Sequence, residues 1–445
     1  MTFEQFRDAC FKSALEKGCE SAEVYCGRTD SFSVNVLDGD IERYKSAKDS
    51  GLNLRVIFNG KNGYAYTEVF EDPDFLVDRA IDNARAIENT DVNPMQSACE
   101  YPSIIETKNP VLHMTESEKI DLAMRMERDT LAFDGRVNRL GYCTVETGVN
   151  VTHIHNTLGL RADSTENYSY GIIGAILRQG EEEHEGYSFK MGGDISNYGD
   201  MIKESVDNAL IQFNAKTVDS GEYRVLIRND AAGDLLGAFS GIFSADNVQK
   251  GLSLLKDKIG ERIANDNITI LDDPFEKGYP RAFDAEGVPS VLTTVVENGL
   301  LKSYLHNLKT ALKDGVESTS NAGRDSVASP VGIAPSNFYI VAGEKSYDEL
   351  VAELDSGIII TELGGLHAGL NEVSGDFSLL AKGLLVENGS VIRSVEQITC
   401  AGNFLSLMKD IIAVGSDMKF GLPGAAMARI GCPSLLIGKL MISGK

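Results

Sequence analysis

The chain has 445 residues, 42% of them apolar and 24% charged, which excludes disordered, collagen-like and coiled-coil classes and leaves room for two domains with separate cores. Its 66 acidic and 42 basic residues give a formal charge of −24, which repels phosphate backbones and anionic lipid and so argues against direct nucleic-acid or membrane binding. The cysteines Cys10, Cys19, Cys26, Cys99, Cys143, Cys400 and Cys432 are odd in number, scattered and form no CxxC pair, which argues against a disulfide framework and a zinc ribbon.

Phe3, Phe6, Cys10 and Leu15 recur at helical spacing, so the chain is expected to open with an amphipathic helix. No basic segment leads into an apolar one as in a signal peptide, and no apolar run reaches membrane-spanning length, so a cytoplasmic protein is expected. Residues 22–67 alternate apolar and polar positions and are interrupted by Asp38-Gly39 and Asn59-Gly60, both hairpin signals; an antiparallel meander is predicted. A helix is predicted over Pro73–Asn89 from the spacing of Leu76, Ala80, Ile81, Ala84 and Ile87. A second opens on the capping box Thr115-Glu-Ser-Glu118 and runs through Ile120, Leu122, Met126 and Leu131.

Residues 136–191, rich in Val, Thr, Ile and Tyr, predict three or four further strands, and a helix follows over about Met201–Phe213. Strands and helices mix without the regular alternation of βαβ units, so the fold class is α+β. The polar run Asn214–Gly221 places a boundary between an N-terminal α+β domain, 1–215, and a C-terminal domain, 220–445. There a strand over Tyr223–Arg228 leads into a helical region from Ala231 to about Phe243. Strands then follow, separated by turns at Asn298-Gly299, Asp314-Gly315 and Asn388-Gly389, which predicts a mostly β, barrel- or sandwich-like domain.

No phosphate-binding glycine motif occurs, and Gly237-Ala-Phe-Ser240-Gly241 puts its serine one position late for a nucleophile elbow, so its small residues are read as helix packing. His153 and His155 share one face of a strand, but no third metal ligand is identifiable beside them and they read as a surface pair. His184-Glu185 opens like a zincin motif and continues with Ser188 and Phe189; the acid run Glu181–Glu185 reads as a solvated hairpin turn.

The strand-to-helix junction carries Asn229-Asp230-Ala-Ala-Gly-Asp234. Asn229 suits an N-cap, and Asp230 complements the helix dipole. Asp230 and Asp234, four residues apart, face the same way along the helix. Two carboxylates and an amide oxygen suit a loosely held hard cation better than tetrahedral zinc.

This junction resembles the segment in which TldD-type peptidases carry HExxxH. The blocks Asn321-Ala-Gly-Arg324, Thr361-Glu362-Leu-Gly364-Gly365, Val373-Ser374-Gly375-Asp376-Phe377-Ser378 and Ile398-Thr-Cys-Ala-Gly402-Asn403 resemble that family's C-terminal signatures in order, and Ala22-Glu23-Val24-Tyr25 its N-terminal domain. The chain is thus similar to the TldD/PmbA (modulator of DNA gyrase) peptidase family, in its PmbA/TldE-like branch. The resemblance implies that Asn229 stands at the first zinc histidine, Asp230 at the glutamate base and Asp234 at the second histidine. The family's third ligand is a cysteine in the stretch here occupied by Val414–Phe420, which has none; Cys432 comes later and reads as a small buried thiol. The implied function is that of a non-catalytic subunit with no metal or catalytic residue of its own. Its heterodimer partner would be a TldD-like chain holding the zinc, its substrates unfolded peptides, and a homodimer is possible in isolation. Two alternatives stand beside it: a self-sufficient metallopeptidase using a non-zinc ion on Asp230 and Asp234, and a regulatory protein contacting a nucleic-acid enzyme such as gyrase.

Overall fold

Two Asx-Gly pairs in left-handed conformation shape the first sheet of the computed structural model, which describes residues 1–88, 91, 93–105, 108–424 and 427–445. After helix α1 (Phe3–Glu16), strands β1 (Ser21–Leu37), β2 (Asp40–Phe58) and β3 (Lys61–Thr67) turn at Asp38-Gly39 and Asn59-Gly60, with φ of 56° and 72° and of 52° and 71°. Positive φ at both turn residues matches the twist of tight hairpins. Then come α2 (Pro73–Ala86), α3 (Glu116–Phe133), β4 (Val137–Asn156), β5 (Arg161–Gln179), β6 (Glu182–Met191) and α4 (Gly199–Leu210). The antiparallel order is β3-β2-β1-β4-β5-β6. Helices α1 and α2 cover one part around Phe6, Cys10, Leu76 and Val77, and α3 and α4 another around Leu122, Met126, Ile202 and Val206.

The expected capping box at Thr115 forms, a second at Thr2 opens α1, and Asp72 caps α2 ahead of Pro73. Helix α2 stops at Ala86 because Ile87 turns extended; Asn89 lies outside the described residues. Leu15 and Leu131, expected in the core, are 50% and 39% exposed. Their helices bury Ala14, Glu127 and Thr130 instead, the last two satisfied by the Gly39 amide and the Met126 carbonyl. Residues 136–191 form three strands. Glu182–Glu185 lies within β6, not in a turn, because it pairs with Ile176–Gln179.

In the second half, β7 (Gly221–Ile227) leads into α5 (Asn229–Ala238), a 3₁₀ turn over Ser240–Phe243 and α6 (Ala245–Gln249). Short elements follow: β8 (Ile270–Asp272), β9 (Thr293–Glu297), β10 (Leu300–Leu301), α7 (Leu308–Asp314), β11 (Ala322–Gly323), β12 (Gly332–Ile333), β13 (Asn337–Ile340) and α8 (Tyr347–Leu354). Longer strands β14 (Gly357–Gly364), β15 (Asp376–Glu387) and β16 (Ser390–Asn403) precede α9 (Phe404–Lys409), β17 (Ile411–Val414), β18 (Lys419–Phe420), β19 (Arg429–Cys432) and β20 (Leu435–Ser443). One sheet runs β16-β15-β14-β7-β20-β17 and closes through β16 pairing with β20, giving a β-barrel; the other runs β10-β9-β8-β13-β19-β18. Asn298-Gly299 and Asn388-Gly389 are the expected hairpin turns, whereas Gly315 terminates α7 in left-handed conformation. The large core between these sheets includes Ile227, Leu235, Phe239, Phe338, Ile360 and Phe404. Among the described residues no helix is long and apolar enough to cross a membrane.

Candidate functional site

Strand β7 lies between β14 and β20 in the barrel, so the position where it ends is set by backbone pairing on both sides. Arg228 follows in extended conformation and occupies the N-cap position of α5, without a side-chain cap. Asn229 is therefore the first helical residue and not the expected cap. Its backbone amide donates to Ser434 Oγ at 3.1 Å and its Nδ2 to the Asp417 carbonyl at 2.8 Å, while its Oδ1 accepts from the Asp230 amide. These bonds fasten the helix start to the 414–420 stretch and to the loop before β20.

Asp230 is clamped from behind. Arg228 donates through Nε to Oδ1 at 2.8 Å and through Nη2 to Oδ2 at 2.7 Å, and reaches Asn208 Oδ1 and the Thr361 carbonyl as well. Lys419 Nζ stands 3.9 Å from Asp230 Oδ2, bonds Glu204 Oε1 at 2.5 Å and lies 5.7 Å from the Phe189 ring centroid.

Asp230 and Asp234 line one cavity of about 730 Å³ together with Asn229, Gly233 and Gly237. Tyr142, Ile172, Tyr187 and Phe189 of the first sheet form the facing wall, and Lys419–Leu422 and Ile430 form a third side. Ser240 and Gly241 also border this space, so the small residues after α5 help open a cavity; Ser240 Oγ donates to the Gly237 carbonyl at 2.7 Å. The Asp234 carboxyl is accessible to water within the cavity yet ringed by protein. Burial, reinforced by the negative charges of Asp230 and Glu362 and opposed by Lys419, pushes it up to about 6. Burial and the same two aspartates push the Tyr187 phenol up to about 12.

The residues at 229, 230 and 234 do not fit a zinc ion. They offer no imidazole or thiolate, both oxygens of Asp230 are engaged by Arg228, and an ammonium stands beside them. Cys432 ends β19 against α5, where a Cβ on Gly233 would lie 3.9 Å from its own. It is fully buried, and that burial drives its thiol well above the usual range.

His153 and His155 lie elsewhere, on β4, and do not line this cavity. Contrary to the expected surface pair, His155 is buried, and Asp163 of the neighbouring strand joins both rings. His184 packs edge-on against Phe213, which explains its position without a metal. Arg228 and Lys419 are parts of the site that no motif in the sequence marks, although Lys419 falls within the 414–420 stretch that lacks a cysteine.

Family models match three consecutive segments: PmbA/TldA metallopeptidase domain 1 over residues 22–84, the central domain over 109–213 and the C-terminal domain over 220–444. Metalloprotease PmbA of Escherichia coli O157:H7 is 26% identical, over 96% of this chain and 93% of its own length. A Metalloprotease TldD homolog of Haemophilus influenzae is 24% identical over 98% and 95%. A Thermotoga maritima crystal structure described as a modulator of a DNA gyrase superimposes with a TM-score of 0.90 at 35% identity, covering 99% of this chain and all of that one. TldE from Thermococcus kodakarensis shares the fold, with a TM-score of 0.88 at 20% identity over 99% and 100%.

Proposed function

This chain belongs to the PmbA/TldD metallopeptidase family, and from that premise we propose that it is the non-catalytic subunit of a heteromeric zinc peptidase acting on unfolded peptides in the cytoplasm. The observation that carries this is the clamp on Asp230. Where the zinc-bearing branch needs two imidazoles and a free carboxylate, this chain has an amide tied to Asp417 and a carboxylate held at both oxygens by Arg228. A ligand set spent on internal ion pairing cannot lower the pKa of a metal-bound water.

Relatives named for both PmbA and TldD support a paired arrangement, in which a TldD-like chain supplies the zinc. The cavity supports the peptide-holding part of the proposal. Its walls offer Tyr142, Tyr187, Phe189 and Phe420 to apolar side chains, and it is bordered by β6 and β18, the end strands of their sheets. A strand edge can bind an extended peptide through backbone hydrogen bonds, with little demand on sequence. Division of the chain into units over 1–215 and 220–445 would have the first supply the wall of Tyr142, Ile172, Tyr187 and Phe189 and the second the other two sides of this chamber.

The test measures peptide hydrolysis and native mass for the purified chain, alone and mixed with a TldD-like partner. Hydrolysis only in the mixture, carried by a heterodimer, is the expected result. Hydrolysis by the isolated chain that disappears in Asp234→Ala would overturn the proposal.

A further inference from the structure

We propose that His153, His155 and Asp163 form a transition-metal site with three protein ligands and an open coordination position, suited to a zinc-class divalent ion. This goes beyond the functional proposal above and does not rest on it, because none of the three residues lines the α5 cavity.

The strand register assembles the ligands. His153 and His155 are two apart on β4 and so project from the same face of the sheet. Asp163 on β5 is the direct cross-strand partner of His153, which places its carboxylate on that face too. One ligand atom from each residue lies within 4.8 Å of the others. Tetrahedral bonds of about 2.0–2.1 Å require donors roughly 3.4 Å apart, so small side-chain rotations suffice.

Both imidazoles already converge on one oxygen. His153 Nδ1 is 2.5 Å and His155 Nε2 2.8 Å from Asp163 Oδ1. A cation entering there takes the place of the two bridging hydrogens. The rings are held before any ion arrives: the Phe3 ring stacks on His153 with centroids 4.8 Å apart and lies tilted 5.5 Å from His155, which is buried. Two nitrogens and one carboxylate, with no carbonyl oxygens, suit zinc, cobalt, nickel or copper better than calcium or magnesium. His153 and Asp163 are partly open to solvent, which leaves a path for the ion and a position for water.

Arg7 opposes loading. Its Nη1 lies 2.9 Å from His155 Nδ1, so a metal on Nε2 would shift the ring proton towards a guanidinium. Arg7 also bonds Asp8 through Nε at 2.8 Å, and that partner can retain it when it turns away from His155.

The purified full-length chain should be titrated with Zn²⁺ against a chromophoric chelator, and with Co²⁺ followed by its visible spectrum. One equivalent is expected, with affinity falling by about 100-fold or more in His155→Ala and Asp163→Ala and unchanged in Asp234→Ala. Because His155 is buried, the partly exposed His153→Ala serves as a second ligand variant, with circular dichroism confirming the fold of each. Zinc lost wholly to the chelator, or retained by both His153→Ala and Asp163→Ala, would overturn the assignment. Zinc released by Asp234→Ala and not by Asp163→Ala would overturn it as well, and would separately contradict the vacancy proposed at α5.

Discussion

Arg228 and Asp230 form a two-pronged ion pair across the junction of β7 and α5, with bonds of 2.8 and 2.7 Å and side chains 21% and 20% exposed. Arg228 thus holds the N-cap position without capping the helix, and a carboxylate that could have faced a metal is turned to structural use. A planar donor fork matched to a carboxylate is the strong form of such a pair.

Arg228→Met should therefore destabilise the protein by about 2–3 kcal/mol, since it removes charge-assisted bonds and leaves Asp230, Asn208 and the Thr361 carbonyl without their donor. Adding Asp230→Asn to that variant should recover part of the loss, because the stranded charge disappears with it. Urea unfolding of the two variants and the parent measures both effects. Equal loss in the single and double variants would show that the charge at Asp230 was not the cause.

Asp234 carries a pH dependence of definite sign. Its carboxyl is raised to about 6 in the folded chain, above the ordinary aspartate value of 3.8, so the folded state holds its proton over a range where the unfolded chain has released it. Its stabilising contribution is complete below about pH 4 and is lost as the pH rises through 6. Asp234→Asn should flatten the fall in stability between about pH 4 and 7 relative to the parent, and should be more stable than the parent at neutral pH. Thermal unfolding of both proteins across that range checks the difference. Parallel curves would count against it.

Local chemistry made much of this fold legible. The Asx-Gly turns, the Thr115 capping box and the alternation over 22–67 each act within a few residues of chain, so their outcome is written where they occur. Leu15 and Leu131 lie outside the core because the buried face of a helix is chosen by what packs on it, and satisfied polar groups such as Glu127 and Thr130 took that face on α3. The assignment of Asn229 as the cap failed for a related reason. Ser434 and Asp417, some two hundred residues away, capture it before it can cap the helix. Asp163 is not legible beside His153 and His155 because only the β4–β5 register brings it opposite His153 and within reach of His155.

Gly233 offers a way to fill the cavity while keeping the fold. Among the described residues a Cβ there would meet only Cys432 Cβ, at 3.9 Å, an ordinary contact, and replacing a helical glycine favours the helix by about 0.5–1 kcal/mol. Gly233→Leu should thus melt no lower than the parent while weakening peptide capture and the hydrolysis measured with a TldD-like partner. Retained heterodimer mass with reduced peptide affinity is the expected combination. Undiminished affinity would place the peptide outside this cavity.

The deepest ion pair offers a stability test independent of the site. Glu23 and Arg55 are cross-strand partners on β1 and β2, 2% and 1% exposed, with Oε1 and Nη2 3.1 Å apart. Among the described residues, two of the three guanidinium nitrogens of Arg55, Nε and Nη1, have no hydrogen-bond partner, so Glu23 is the main compensation for a charge fully removed from water. Glu23→Leu should cost about 3–5 kcal/mol, because it strands that guanidinium in the interior. Glu23→Leu with Arg55→Met should recover most of the loss, since an apolar pair of similar volume needs no counter-charge. Chemical denaturation of the two single variants and the double variant closes the cycle. If the double variant were as unstable as the sum of the singles, packing rather than the unpaired charge would explain the loss.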